Sequence, residues 1–261
     1  MPAKYKVVPH LFQHWDDVAK RVRESRHLLI FLDFDGTLVP IAPRPDMVRV
    51  DAVTRRVLHR LGKRRRVTLA VISGRRREEL QQFIPDRHVR YLGLYGWERN
   101  GRLELSSVER VDIAHAHGLL IDLVREHPKL WIEAKDISLS VHLRDVKPAA
   151  QPRVRKAVRR ILSPFRRSLH MFENILDIEI VPHSIRDKGA AVLDFLAKPA
   201  MRHDLPFFFG DDFSDEPAFA AVKKGVSVLV GKPRPTHAQF HLHGPDEVTK
   251  ALVRLEEELQ S

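Results

Sequence analysis

A chain of 261 residues is long enough to bury a full hydrophobic core and leaves room for one large domain or two smaller ones. It contains no cysteine, which excludes a disulfide framework and a thiolate metal site, so any metal must be held by oxygen or histidine ligands. A formal charge of +11, from 45 basic against 34 acidic residues, favours anionic partners: phosphorylated metabolites, nucleic acid or an acidic membrane surface.

The opening "MPAKYKVVPHLFQHWDD" has no apolar signal-like run, and no window reaches the ~20 apolar residues that span a bilayer. No membrane partner and a cytoplasmic location are therefore expected. Leu11, Trp15, Val18 and Val22 recur with helical period and predict an amphipathic helix over 10–26. The continuous apolar run "LLIFLDF" then predicts a strand buried on both faces. A helix over 51–62 follows, with Val53, Val57, Leu58 and Leu61 on its inner side, and then the strand "VTLAVI" at 67–72, closed by "SGR". Strand, helix and strand in this order predict an α/β fold with a doubly wound, Rossmann-like parallel sheet.

Between about residues 100 and 181 the texture changes. A helix over 112–126 precedes the strand-like runs "LWIEA" and "ISLSVHLR", a basic helix over 152–162, and two more strands, "LHMFEN" and "LDIEIVP". Paired strands joined by short turns predict a small antiparallel sheet with helices on one face. The α/β pattern returns with a helix over 188–198, the strand "PFFFG" at 206–210, a short helix after Asp215, the strand "VSVLV" at 226–230 and a closing helix over 246–259. The expected organisation is a core of residues 1–100 and 182–261 interrupted by an inserted α+β domain, 101–181.

The basic clusters "GKRRRV", "GRRREEL" and "RVRKAVRRI" are expected to be solvated faces; in the last, Val154, Val158 and Ile161 keep helical spacing. No RNA-binding aromatic motif, zinc finger or helix-turn-helix pattern accompanies them, which argues against a nucleic-acid partner. The fifteen histidines show no HxxxH or HxH pair with carboxylate support and are expected to be mostly surface groups.

In open parallel sheets, ligands bind beyond the carboxyl ends of the strands. Asp33 and Asp35 end the first strand, Ser73 ends the second, Lys188 opens the helix after the insert, and "GDDFSDE" at 210–216 ends a later strand. Carboxylates converging on one point repel one another and need a cation between them, and a hard divalent ion, Mg²⁺, suits oxygen ligands. Such an ion also neutralises a phosphoryl group while a carboxylate oxygen attacks phosphorus. A second carboxylate two residues on reaches a different position, suited to protonate the leaving oxygen and then deprotonate water. Ser73 and Lys188 are expected on the transferring oxygens, and Gly36 and Gly189 are expected to let backbone N–H groups approach the phosphate.

The motif "DFDGT", Ser73, Lys188 and "GDDFSDE", in that order, resemble the haloacid dehalogenase (HAD) superfamily of phosphatases. The resemblance implies Asp33 as nucleophile, Asp35 as general acid/base and Mg²⁺ ligand, Asp211 as a Mg²⁺ ligand, and Asp215 completing the acidic site directly or through water. Asp212 is either a support for the ligands or a capping residue. The segments "LDFDGTLVPIAPRPD", "VISGRRREEL", "LGLYGWERNG", "WIEAKDISLSVHLR", "IEIVPHSIRDKG" and "FFFGDDFSDEPAF" resemble trehalose-6-phosphate phosphatases over residues 28–220. That family's insert is a mobile cap, which implies substrate contacts at Glu133, Lys135 and Glu179, with Gly36, Thr37 and Arg75 on the core side. His142 and Arg144 match its "HYR" signature and are expected to support the cap fold. Two departures lie near the expected cap side: "YGWE" replaces the usual "HGAE", and Val181 replaces a common basic residue.

These readings imply a Mg²⁺-dependent phosphomonoesterase acting on a small-molecule sugar phosphate, foremost trehalose 6-phosphate; the sequence does not fix the oligomeric state, and a monomer is favoured. Sucrose phosphate and a mannosyl glycerate phosphate are the alternative substrates. A basic nucleic-acid-binding protein on the same fold is the alternative from another class, and a regulatory pseudoenzyme is opposed by the complete motif set.

Overall fold

In a computed structural model the described residues are 8–96, 98, 105–135, 137–185, 187–197 and 204–260. They fall into two compact units, Met1–Gly101 with Asp187–Ser261, and Arg102–Arg186. The return lies beyond the expected residue 182. Past that point His183 still donates its N–H to Ser168 O, and Ser184 its N–H to Glu109 Oε1, so the turn belongs to the insert.

The first unit begins with a 3₁₀ turn, Leu11–His14, that runs into helix α1 (Trp15–Glu24), so the single helix expected over 10–26 is split. Strand β1 (Leu28–Leu32) follows, buried throughout. Helix α2 (Ala52–Gly62) is capped by Asp51, which accepts the N–H groups of Val53 and Thr54 at 2.8 and 2.9 Å. Its inner side is Thr54, Val57, Leu58 and Leu61; Val53, expected inside, is 49% exposed. The polar Thr54 takes that place because Thr249 supplies a hydroxyl partner at 2.7 Å. Strand β2 (Val67–Ile72), helix α3 (Arg77–Phe83) and strand β3 (Val89–Leu92) complete this half.

The second unit holds α4 (Ser107–Glu126), β4 (Trp131–Ala134), β5 (Leu139–His142), α5 (Gln151–Leu162), β6 (Leu169–Glu173) and β7 (Asp177–Pro182). Helix α4 starts five residues before the expected 112, where Ser106 and Glu109 form a reciprocal capping box. The chain then returns to the first unit through α6 (Lys188–Leu196), β8 (Leu205–Gly210), α7 (Glu216–Ala221), β9 (Val226–Val230), β10 (Phe240–Leu242) and α8 (Pro245–Glu258).

Among the described residues the first unit has one six-stranded sheet, ordered β10-β9-β8-β1-β2-β3, parallel throughout. Leu28, Ile30 and Leu32 of β1 pack on one face with residues of α1, α2 and α8, while Leu29 and Phe31 pack on the other with α6 and α7. Each of these buried side chains contributes about 1.5–3 kcal/mol relative to exposure, which is why β1 reads as an unbroken apolar run. Leu32 pairs with Val71 of β2 and Phe209 of β8, so the residues just after these three strands share one edge.

The antiparallel sheet of the second unit is ordered β4-β5-β7-β6. Leu139, Val141, Ile178 and Ile180 pack beneath α4 and α5. Strand alternation puts Glu133, Ser140, Glu179 and Phe172 in one cross-strand row on the other face. The basic residues of α5 are partly engaged: Arg159 makes a bidentate pair with Glu173 at 2.6 and 2.8 Å. Among the described residues no helix is long and apolar enough to cross a membrane.

One expectation about histidine is overturned. Within the HxH pair of His241 and His243, His243 has carboxylate support, because the turn into α8 brings Glu247 beside it, and His10 reaches the same carboxylate from the segment before α1.

Candidate active site

The end of β1 is where the polar residues gather. Asp33 is 5% exposed and donates its N–H to Phe209 O at 2.9 Å, which keeps it in the sheet one residue past the strand. Two residues on, the chain turns sharply. Gly36 has φ +81°, and a Cβ there would lie 2.1 Å from Asp211 Oδ2, so only glycine lets the β1 turn approach the β8 turn this closely. Its N–H donates to Val39 O at 2.8 Å, so that group is committed within the turn and does not point to a phosphate as expected. Thr37, fully buried, donates to Asp211 Oδ1 across a long 3.4 Å. Gly189 likewise serves packing, since a Cβ there would lie 2.5 Å from Pro217 O, where α6 meets α7.

Lys188 is the hub of the cluster. It opens α6 behind the N-cap Asp187, is 3% exposed, and donates to Asp33 Oδ1 at 2.6 Å and to Asp215 Oδ1 at 2.7 Å. Asp215 is wholly buried, and its other oxygen accepts the N–H groups of Asp211 and Asp212, both at 3.0 Å. Asp215 thus fixes both the lysine and the turn that presents Asp211. Asp212 caps that turn by accepting Phe213 N–H at 2.6 Å.

The charges do not balance. Burial, together with the neighbouring Asp215 and Asp35 and against the pull of Lys188, pushes the Asp33 carboxyl up to about 7. Burial and the charges of Asp33, Asp215 and Asp212 push Asp211 well above the usual carboxylate range. Lys188 moves the other way for a buried amine: burial would lower it, but Asp215 and Asp33 hold it above its ordinary value, so it stays a cation. Oxygens of Asp33, Asp211 and Asp215 lie within 4.8 Å of one another. An all-oxygen donor set with surplus negative charge fits a hard divalent cation. Asp33 and Asp211 are best placed to hold it, because both oxygens of Asp215 already accept hydrogen bonds from the protein.

Asp35 and Arg75 form a second arrangement on the same edge. Arg75 grips Asp35 with two bonds of 2.6 and 2.7 Å, and its guanidinium lies 5.4 Å from the Phe34 ring and 5.1 Å from the Phe83 ring. Arg75, expected on the substrate, is here the partner of Asp35. Ser73, 3% exposed, accepts Arg75 N–H at 3.1 Å, and its carbonyl accepts Tyr95 N–H at 2.8 Å. Tyr95 is buried with φ +60°, and Glu98 accepts Arg77 N–H at 2.6 Å at the start of α3. The described part of the "YGWE" departure therefore supports the Ser73 turn of the first unit rather than the cap. Trp97 lies outside the described residues.

On the sheet face opposite α4 and α5, Lys135 donates to Glu179 Oε1 at 2.9 Å, and Ser140 donates to the same oxygen. Burial opposes the Lys135 charge, yet Glu179 and Glu133 raise it above its ordinary value. Glu133 pairs with His142 Nε2 at 2.9 Å, and His142 stacks on Trp131 with 3.6 Å between ring centroids. Glu179 Oε2 is buried and has no partner among the described residues.

The protein-family model described as "Trehalose-phosphatase" matches residues 31–257, which reaches across both units and takes in Asp33, Asp35, Ser73, Arg75, Glu133, Lys135, Glu179, Lys188, Asp211 and Asp215. The chain belongs to the trehalose-phosphatase family. Among trehalose-phosphatase relatives, the "Probable trehalose-phosphate phosphatase E" of Arabidopsis thaliana is 30% identical over 261 residues, covering 91% of this chain and 72% of that protein. The solved C-terminal domain of the C. albicans trehalose-6-phosphate phosphatase matches with a TM-score of 0.82 at 20% identity, over 98% of this chain and 99% of that one. A haloacid dehalogenase-like hydrolase from Bacteroides thetaiotaomicron matches with a TM-score of 0.59 at 15% identity, covering 88% of this chain and 99% of that one. These two likenesses concern the fold, which is the α/β haloacid dehalogenase fold with an added antiparallel sheet. As a trehalose-phosphatase family member the chain is a phosphomonoester hydrolase.

Proposed function

We propose that this chain hydrolyses trehalose 6-phosphate to trehalose and phosphate, with Asp33 as nucleophile and Mg²⁺ as cofactor. The observation that carries this reading is the buried surplus of carboxylate at the end of β1, held open by a single lysine, in a chain of the trehalose-phosphatase family. An Asp33 oxygen attacks phosphorus, and the bond from phosphorus to the sugar oxygen breaks as Asp35 gives that oxygen a proton. Asp35 then takes a proton from water, whose oxygen attacks the aspartyl phosphate and frees both phosphate and Asp33.

Arg75 holds both oxygens of Asp35 in the resting protein, and each oxygen keeps a further lone-pair position with which to serve the leaving group. Arg75 therefore sets where Asp35 waits. Lys188 and Ser73 steady the transferring oxygens, and Lys188 keeps Asp33 oriented. Asp33 and Asp211 would hold Mg²⁺, which would supply charge neutralisation for the phosphoryl group. Glu179, Lys135 and Glu133 are the groups we assign to sugar hydroxyls. The unpartnered Glu179 Oε2 supports this, since a buried carboxylate oxygen needs a donor.

Phosphate release with Mg²⁺ from trehalose 6-phosphate, sucrose 6-phosphate, glucose 6-phosphate and a mannosyl glycerate phosphate tests the reading, with Asp33→Asn as control. Preference for trehalose 6-phosphate, lost in the variant, is expected. Turnover of another member alone would move the substrate, and no turnover of any would overturn the activity.

A further inference from the structure

The histidine cluster at the start of α8 lies outside the machinery described above, and its chemistry differs. We propose that His10, His243 and Glu247 form a second cation site, selective for a borderline divalent transition ion such as Zn²⁺, that clasps the segment before α1 to the first turn of α8.

The geometry is that of converging ligands from distant parts of the chain. His10 Nε2 lies 2.9 Å from Glu247 Oε2, across 237 residues of sequence. His243 Nδ1 lies 3.1 Å from the same oxygen and 3.2 Å from Oε1. All three ligand atoms fall within 4.8 Å of one another. Bonds of ~2.0–2.1 Å in a tetrahedral site place neighbouring ligand atoms about 3.3 Å apart, so the two His–Glu247 distances need adjustments of only a few tenths of an ångström.

Glu247 Oε2 also accepts the His243 backbone N–H at 2.7 Å, so one oxygen faces three nitrogens. A cation serves that arrangement better than two imidazole protons aimed at a single acceptor. Two imidazole nitrogens and a carboxylate select a borderline ion over Mg²⁺, which prefers oxygen alone.

The surroundings hold these ligands in place. His241 N–H donates to Pro9 O at 2.9 Å, and His10 and His241 form an isolated parallel bridge, so the first segment is docked beside β10. The His241 ring lies 5.1 Å from His10 and 5.5 Å from His243, and it donates Nδ1–H to Val8 O at 2.8 Å. Ligation by His10 Nε2 moves that ring's proton to Nδ1, replaces the hydrogen bond to Glu247 with the ion and gives up the long 3.3 Å bond from Phe12 N–H. The His10 and Glu247 side chains are 14% and 24% exposed, while His243 is 68% exposed and leaves one side open for the ion and a water.

The test is calorimetric titration of Zn²⁺ into the untagged full chain saturated with Mg²⁺, which fills the carboxylate cluster first. One Zn²⁺ is expected to bind, to raise the thermal midpoint and to slow amide exchange in residues 8–14. His243→Ala, at an exposed position, and Glu247→Gln, which keeps an acceptor for the N–H groups, should each weaken Zn²⁺ at least tenfold and leave Mg²⁺-dependent phosphate release unchanged. Equal Zn²⁺ affinity in wild type and both variants, or no Zn²⁺ binding to the Mg²⁺-saturated wild type, overturns the proposal.

Discussion

At the carboxyl edge of the parallel sheet four carboxylates, Asp33, Asp35, Asp211 and Asp215, meet two cations, Lys188 and Arg75; on the face of the antiparallel sheet opposite α4 and α5, Glu133 and Glu179 meet Lys135 and His142. The first set carries surplus charge, and its strain shows in the raised Asp33 and Asp211 carboxyls. The second set is more nearly balanced, with two carboxylates to one lysine, and that buried lysine stays charged. Surplus buried charge of one sign marks a place built for a ligand of the other sign, whereas a balanced set offers hydrogen bonds to neutral groups. The first set thus suits the cation that a phosphoryl group requires, and the second offers partners to neutral hydroxyls.

The sharpest way to break this contrast is to remove the attacking charge. Asp33→Asn keeps the shape and is expected to lower phosphate release by at least ~10⁴-fold, with a thermal midpoint no lower than wild type because a repelled charge is gone. Unequal loss of stability would show that Asp33 serves the fold. Lys188→Met attacks the same balance from the other side, leaving Asp33 and Asp215 buried without their cation. It should cost about 3–5 kcal/mol in urea unfolding, and an effect below ~1 kcal/mol would mean that the carboxylates already shed their charge.

Arg75→Ala separates positioning from substrate binding. If Arg75 holds Asp35 in waiting, kcat falls on the order of 100-fold with KM little changed; a rise in KM alone would return Arg75 to the substrate. The smallest expected effect lies in the balanced region. Glu179→Gln should lower kcat/KM for trehalose 6-phosphate by roughly tenfold, about the worth of one hydrogen bond to a charged group, and leave a small aryl phosphate unaffected. Equal loss on both substrates would remove Glu179 from sugar recognition.

Much of this was legible in the sequence where the signal is local. β2 and β9 coincide with the apolar runs at 67–72 and 226–230 because both their faces are buried. The edge strands β3 and β10 gave no such run: β3 is half exposed around Arg90, and β10 has three residues, two of them only partly buried. Helix α3 escaped notice because it buries only Leu80.

In the site, Asp33, Ser73, Lys188 and Asp211 were legible because each follows an apolar strand or opens a helix. Their partners were not. Arg75 meets Asp35 across 40 residues, and Lys188 meets Asp33 across 155. The choice of Lys188 over a metal for Asp215, and of Asp35 over substrate for Arg75, depends on which strand ends the register brings level. The same holds for His10 and Glu247, which only the docking of the first segment beside β10 brings together.

The central claim is that the charge ending β1 is a nucleophile. Rapid acid quench of the Mg²⁺-loaded wild type during turnover of radiolabelled trehalose 6-phosphate, followed by peptide mapping, tests it most directly. Label on the peptide containing Asp33, formed and consumed at rates that match turnover, is the predicted result. Full turnover with no label on that peptide at any quench time would contradict it and point to direct attack by water.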